Sequence, residues 1–82
     1  MGRPARNDVR VEVARILTVI LGHHVDPDQD ATASDDPLWD SLRQVEIVYA
    51  IEDAFSLRFE ESEFAELASL EMIVDAVMQR LT

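Results

Sequence analysis

Asp40-Ser41-Leu42-Arg43-Gln44-Val45-Glu46-Ile47-Val48-Tyr49-Ala50-Ile51-Glu52-Asp53-Ala54-Phe55 is the stretch whose reading decides the fold of this chain. Its apolar residues recur three and four apart, the period of an α-helix, and no convincing strand pattern occurs elsewhere in the sequence. Asp40 can accept the orphan amides of a first turn, so a helix (helix II) is predicted over Ser41–Phe55. At 100° per residue, with Leu42 at 0°, Ile47, Val48, Ile51 and Phe55 fall between about 140° and 240°, a coherent core stripe. Leu42, Val45 and Tyr49 fall opposite, between about 300° and 0°, with Glu52 near 280°, Asp53 near 20° and Glu46 near 40° on the margins. A small bundle cannot readily bury both sides of one helix. The second stripe is therefore expected to be a protein-docking face, with an apolar centre and a carboxylate rim that steers a partner, the alternatives being a central helix buried nearly all round or an ordinary surface aromatic at Tyr49.

Working outward, Val9, Val13, Ile16, Leu17 and Ile20 form the apolar stripe of a first helix, capped by Asn7 or Asp8 and stopped at Gly22. Residues 23–39 hold Pro27, Pro37, Asp26, Asp28, Asp30, Ser34, Asp35 and Asp36, turn and cap formers with little periodic apolar content, and read as a long loop. After the link Ser56-Leu57-Arg58-Phe59-Glu60, a short third helix is predicted at Glu61–Glu66. Ser69 caps a fourth, whose core face is Leu70, Ile73, Val74, Val77 and Leu81. The fold class is thus all-α, a small four-helix bundle, with residues 1–6 a frayed tip and 7–82 a single domain. Its expected core is Val13, Ile16, Leu17, Ile20, Ile47, Val48, Ile51, Phe55, Leu70, Ile73, Val74 and Val77.

Composition narrows the function classes. A chain of 82 residues has one core, burying roughly 60 to 65% of the surface its unfolded form exposes, so a deep substrate cavity is not expected. There is no cysteine, which removes disulfides, thiolate metal sites and a cysteine nucleophile. No signal-peptide pattern and no run of roughly 18 apolar residues is present, and a cytoplasmic protein without membrane association is expected. The net charge is −10, unevenly placed: residues 1–15 carry four Arg against two acids, residues 16–82 three Arg against fifteen. Such a surface repels phosphate backbones and attracts partners that present basic patches, so protein partners are expected and nucleic acid is not.

Ser41 is the candidate site residue. An alcohol at this place has no visible base in the sequence, so it reads as an attachment point, although Ser beside a helix start is also ordinary capping chemistry. Leu38 and Trp39, just before it, are placed to pack as a staple or to shield the base of an attached arm. Other constellations fail. Asp26-Pro27-Asp28-Gln29-Asp30 begins like a calcium loop, but Ala31 stands where the turn glycine is needed and Pro37 where the closing Glu should be, so no metal is expected. His23 and His24 read as helix-end residues, and no Gly-x-Ser-x-Gly elbow or glycine-rich phosphate loop exists.

Asp40-Ser41-Leu42, Val45-Glu46-Ile47-Val48, Ile51-Glu52-Asp53-Ala54-Phe55 and Leu67-Ala68-Ser69-Leu70 resemble, in order and spacing, the acyl carrier and peptidyl carrier protein family. The resemblance runs over about residues 36–81, and the apolar pattern of residues 9–21 agrees with the family's first helix. It implies a bundle of acyl-carrier type and a non-catalytic protein. Ser41 would receive 4′-phosphopantetheine from coenzyme A through a phosphopantetheinyl transferase, and the arm's thiol would hold acyl or aminoacyl groups as thioesters. Asp40 and Leu42 would flank the arm, and Asp40 would orient a metal or the transferase. Leu42, Val45, Glu46, Tyr49, Glu52 and Asp53 would form the recognition face for the transferase and for acyl- or aminoacyl-loading and processing enzymes with basic docking patches. A monomer is expected.

Leu38 stands where many members have Gly, Trp39 where a smaller residue is usual, and Arg43 where fatty-acid carriers often have an acidic or neutral one. These departures leave the cargo open between fatty-acyl, polyketide and aminoacyl groups, with a specialised biosynthetic pathway expected. Two readings from other classes remain: an unmodified acidic adaptor whose Ser41 is only a cap, and a small hydrolase using Ser41.

Overall fold

The computed structural model describes residues 4–81. Three α-helices, α1 (Arg6–Leu21), α2 (Ser41–Phe55) and α3 (Leu70–Arg80), alternate with 3-10 segments at Ala33–Asp35 and Glu61–Glu66. Among the described residues there is no strand, only an isolated antiparallel bridge between Thr32 and Ser69. The all-α expectation and the place of the third element hold, the latter as a 3-10 helix. No helix is long and apolar enough to cross a membrane among the described residues.

α1 packs against both α2 and α3. Leu17, Ile47, Ile51, Leu70, Ile73, Val13, Val74 and Val77 are wholly buried where the three helices meet. Ile20 and Phe55, expected in the core, are only half-buried at its edge. Val9, Ala14, Ile16, Leu21, Val25, Trp39, Val48, Phe59 and Leu67 complete it. Four of these, Val25, Trp39, Phe59 and Leu67, lie in connecting segments where no helical period announces a buried residue.

The start of α1 differs from expectation. Neither Asn7 nor Asp8 caps it; the N-cap is Ala5, in extended conformation, with no side-chain cap. Arg6, expected in the frayed tip, is the first helical residue and holds Asp75 of α3 at 2.5 Å. Arg10 grips Glu71 at 2.5 and 2.7 Å. These contacts explain the early start, because α3 offers carboxylates to the first turns of α1. Arg6 and Arg10 are thereby used within the fold, and the remaining Arg of α1, Arg15, pairs with Glu12 at 2.6 Å. At its other end Gly22 takes a left-handed conformation, φ 79°, and donates to Thr18 O, the helix stop its position implied.

The long connection from α1 to α2 is ordered by backbone pairing. Val25 N donates to Thr18 Oγ1 at 2.9 Å, tying the first loop residues to α1. Ala33 N donates to Ala68 O and Leu70 N to Ala31 O, both at 2.8 Å. Glu71 N donates to Asp30 Oδ1 at 3.0 Å and Met72 N to Ser69 Oγ at 3.1 Å. Every orphan amide in the first turn of α3 thus has an acceptor, two of them from the loop. Asp30 and Asp26, whose Oδ1 accepts Asp28 N at 2.8 Å, spend their carboxylates on the backbone.

Candidate functional site

Ser41 is the first residue of α2, and its backbone position follows from its neighbours. Asp40, in extended conformation, is the N-cap and accepts Arg43 N at 2.9 Å, the role its place predicts. Trp39 is 5% exposed and anchors the approach from below. Asp36 organises the preceding turn: its Oδ1 accepts Leu38 N at 2.9 Å and its backbone carbonyl accepts Trp39 N at 3.0 Å. Its Oδ2 meets His23 Nε2 at 2.6 Å, so the segment leading to Ser41 is latched to the end of α1. The pair holds the His23 imidazole above its ordinary basicity, chiefly through the Asp36 hydrogen bond. The Asp36 carboxyl lies below its ordinary value, chiefly through the Leu38 N–H and then His23.

The Ser41 side chain is exposed, and among the described residues no hydrogen bond engages its hydroxyl. Asp40 takes up the amide of Arg43, and Gln44 N donates to Asp40 O at 2.9 Å. Among the described residues the amides of Ser41 and Leu42 have no such partner and remain at a helix start, where the local dipole favours negative charge. An exposed hydroxyl there can carry a phosphodiester whose oxygens meet those N–H groups. The first-turn amides fit that group, with the Asp40 carboxylate turned to Arg43 N beside it. Of the two loop histidines that a nucleophilic Ser41 could have recruited, His23 is bonded to Asp36 instead.

The outward stripe of α2 is exposed as its spacing implied: Leu42 is 64%, Val45 38% and Tyr49 58% exposed. Tyr49 stands edge-on to Phe64, ring centroids 6.0 Å apart, which steadies it without hiding it. Glu46 lies in the open 3.4 Å from Arg43, and Asp53 is exposed. Glu52 departs from expectation. It is 9% exposed, and its Oε2 accepts Phe59 N at 2.8 Å, so it is a structural acceptor under the α2 end rather than part of the rim. Its wheel position, about 40° from Val48, borders the core stripe as much as the outer one, and the returning chain after α2 closes over it.

Gln44 is the residue that sequence reasoning passed over. Its Oε1 accepts Trp39 Nε1 at 2.5 Å, and its Nε2 donates to Phe64 O at 2.6 Å and Leu67 O at 2.8 Å. The signal was present, since Gln44 sits near 200° on the wheel, in the middle of the core stripe, where a polar group requires partners. Beside it, Ala33, Ala65 and Ala68, with Asp40 and Ser41, line a shallow hollow of about 200 Å³. A larger depression, about 410 Å³, lies near the far end of α2 by Tyr49, Asp53, Ser56 and Arg58. It holds no exposed nucleophile at a helix start, so the chemistry favours the smaller one.

No family model matches this chain, and no curated protein matches it.

Proposed function

We propose that this protein is a carrier of acyl or aminoacyl groups, bound as thioesters to a 4′-phosphopantetheine arm on Ser41, within a specialised biosynthetic pathway. The observation that supports this most is the pairing of an exposed, unbonded hydroxyl at the first position of α2 with an exposed Leu42–Val45–Tyr49 stripe on the same helix. Attachment and docking are then one surface. A phosphopantetheinyl transferase gripping that stripe meets the hydroxyl in the adjoining turn.

Loading forms one bond and breaks one. Ser41 Oγ becomes bonded to the phosphorus that bears pantetheine, the pyrophosphate P–O bond of coenzyme A breaks, and adenosine 3′,5′-bisphosphate leaves. The transferase takes the hydroxyl proton, which is why Ser41 needs no base within its own chain. Leu42, Val45 and Tyr49 supply the apolar centre of the docking face, while Glu46 and Asp53 supply charge that steers basic partners. The acyl- or aminoacyl-loading and processing enzymes use the same face in turn. Cargo leaves as the partner's nucleophile replaces the arm's thiol at the thioester carbonyl.

Intact-protein mass after incubation with coenzyme A and a broad-specificity transferase tests the reading. One phosphopantetheinyl addition to the wild type, absent from Ser41→Ala, is expected. No addition with any transferase sinks it and leaves an unmodified adaptor that docks through α2.

A further inference from the structure

The boundary between Ser41 and the core is a hydrogen-bonded clamp. One side chain, Gln44, joins three parts of the chain: the residue before the site through Trp39 Nε1, its own helix, and the 3-10 segment with its exit through the carbonyls of Phe64 and Leu67. Both ends of the amide are occupied, so it leaves no polar gap into which an arm could thread. Inside the clamp, Ile47, Val48, Ile51, Leu70 and Val74 are at most 1% exposed. An interior packed to crystal-like density accepts an alkyl chain only by displacing side chains. Against the clamp lies the 200 Å³ hollow, lined by Ala33, Ala65 and Ala68 and by Asp40 and Ser41.

We infer that a group tethered to Ser41 is held outside the core, with the first part of its arm in the alanine-walled hollow, and that its cargo is a short or polar acyl group rather than a long alkyl chain. The inference rests on the carrier reading. To enter the core a long alkyl chain would have to break the clamp, stripping Trp39 Nε1 and two carbonyls of their partner; outside it, the chain would meet water or the open groove by Ile16, Val19, Ile20 and Ala50, which covers it only in part. A short or polar group has little apolar surface to hide and loses nothing by remaining outside.

The test loads the protein from acetyl- and octanoyl-coenzyme A with a broad transferase, verifies each addition by intact mass, and compares methyl NMR spectra and Tm. In the wild type, the octanoyl form is expected to leave the methyls of Ile51, Leu70 and Val74 where the acetyl form has them, with Tm equal to within about 1 °C. Gln44→Ala loaded with octanoyl is expected to show those core methyls shifted, because the clamp is gone. Trp39→Phe, which keeps the ring and removes the N–H, is the second variant should Gln44→Ala not fold. Successful loading followed by core shifts or a raised Tm in octanoyl wild type overturns the inference and leaves the carrier reading standing. Unmoved core methyls in both opened variants overturn the role of the clamp. Absence of any mass addition overturns the carrier reading and the inference with it.

Discussion

The Glu52 carboxylate, on α2, accepts the backbone N–H of Phe59 at 2.8 Å from a buried position. That bond joins the helix to the segment that returns beneath it and brings Phe59 under the guanidinium of Arg80, 4.7 Å from the ring centroid. Arg80 in turn donates to Arg58 O at 2.8 Å and pairs with Glu63. The end of α2, the 3-10 segment and the end of α3 are thereby joined at one corner.

Glu52→Ala should therefore destabilise the fold by about 1 to 3 kcal/mol, because the Phe59 amide loses its acceptor in a buried place. Glu52→Lys should be worse, burying a cation against that amide. Urea unfolding checks this; a Glu52→Lys midpoint equal to wild type would mean that the side chain belongs to the surface.

Trp39→Phe and Gln44→Ala should each lower stability by about 1 to 3 kcal/mol, since each leaves a hydrogen-bonding group of the other without its partner. Because they share one bond, the double variant should lose less than the sum of the singles, with a coupling of at least about 0.5 kcal/mol. Additive losses in thermal or denaturant unfolding would separate the indole from the clamp.

The latch of His23 and Asp36 gives a pH window. His23 binds its proton more tightly folded than unfolded, so its contribution is complete below its ordinary value of 6.5 and is lost as pH rises through the higher folded value. Asp36 is the opposite case: its contribution is complete above its ordinary 3.8 and is lost as pH falls through the lower folded value. The Tm advantage of wild type over His23→Gln should be greatest between about pH 4.5 and 6, shrink toward pH 8, and weaken with salt because the pair is exposed. A difference that grows toward pH 8 would contradict the direction of the His23 shift.

Glu46→Lys with Asp53→Lys should leave stability almost unchanged, each within about 0.5 kcal/mol, since both side chains are exposed. On the carrier reading, transfer of phosphopantetheine to this variant should slow about tenfold at low ionic strength and approach the wild-type rate as salt screens the steering field. Tyr49→Ala should instead slow transfer at every salt concentration. Stopped-assay rates against ionic strength distinguish the two, and equal rates for all three proteins would remove the docking role from this face.

The helical plan was legible because it is written in local patterns. α2 carries a core stripe with Asp40 before it, α3 has Ser69 and the repeat from Leu70 to Val77, and α1 ends at a glycine free to take positive φ. Ser41 and the exposed Leu42, Val45 and Tyr49 were legible for the same reason, since the angle around a single helix depends only on spacing.

What spacing could not reach is set by contacts between segments far apart in sequence. α1 starts at Arg6 because Asp75 waits on α3, and the burial of Trp39 and Val25 depends on where the long loop lies rather than on any period within it. Glu52 illustrates the limit best. On the wheel it borders both stripes, and it became interior because the chain after α2 turned back and offered it the amide of Phe59. The sequence by itself determined which helices form and which faces they carry. Only the tertiary structure decided which borderline polar groups, Glu52 and Gln44 among them, are enclosed, because a buried acceptor or amide is stable only where a distant backbone supplies its partner.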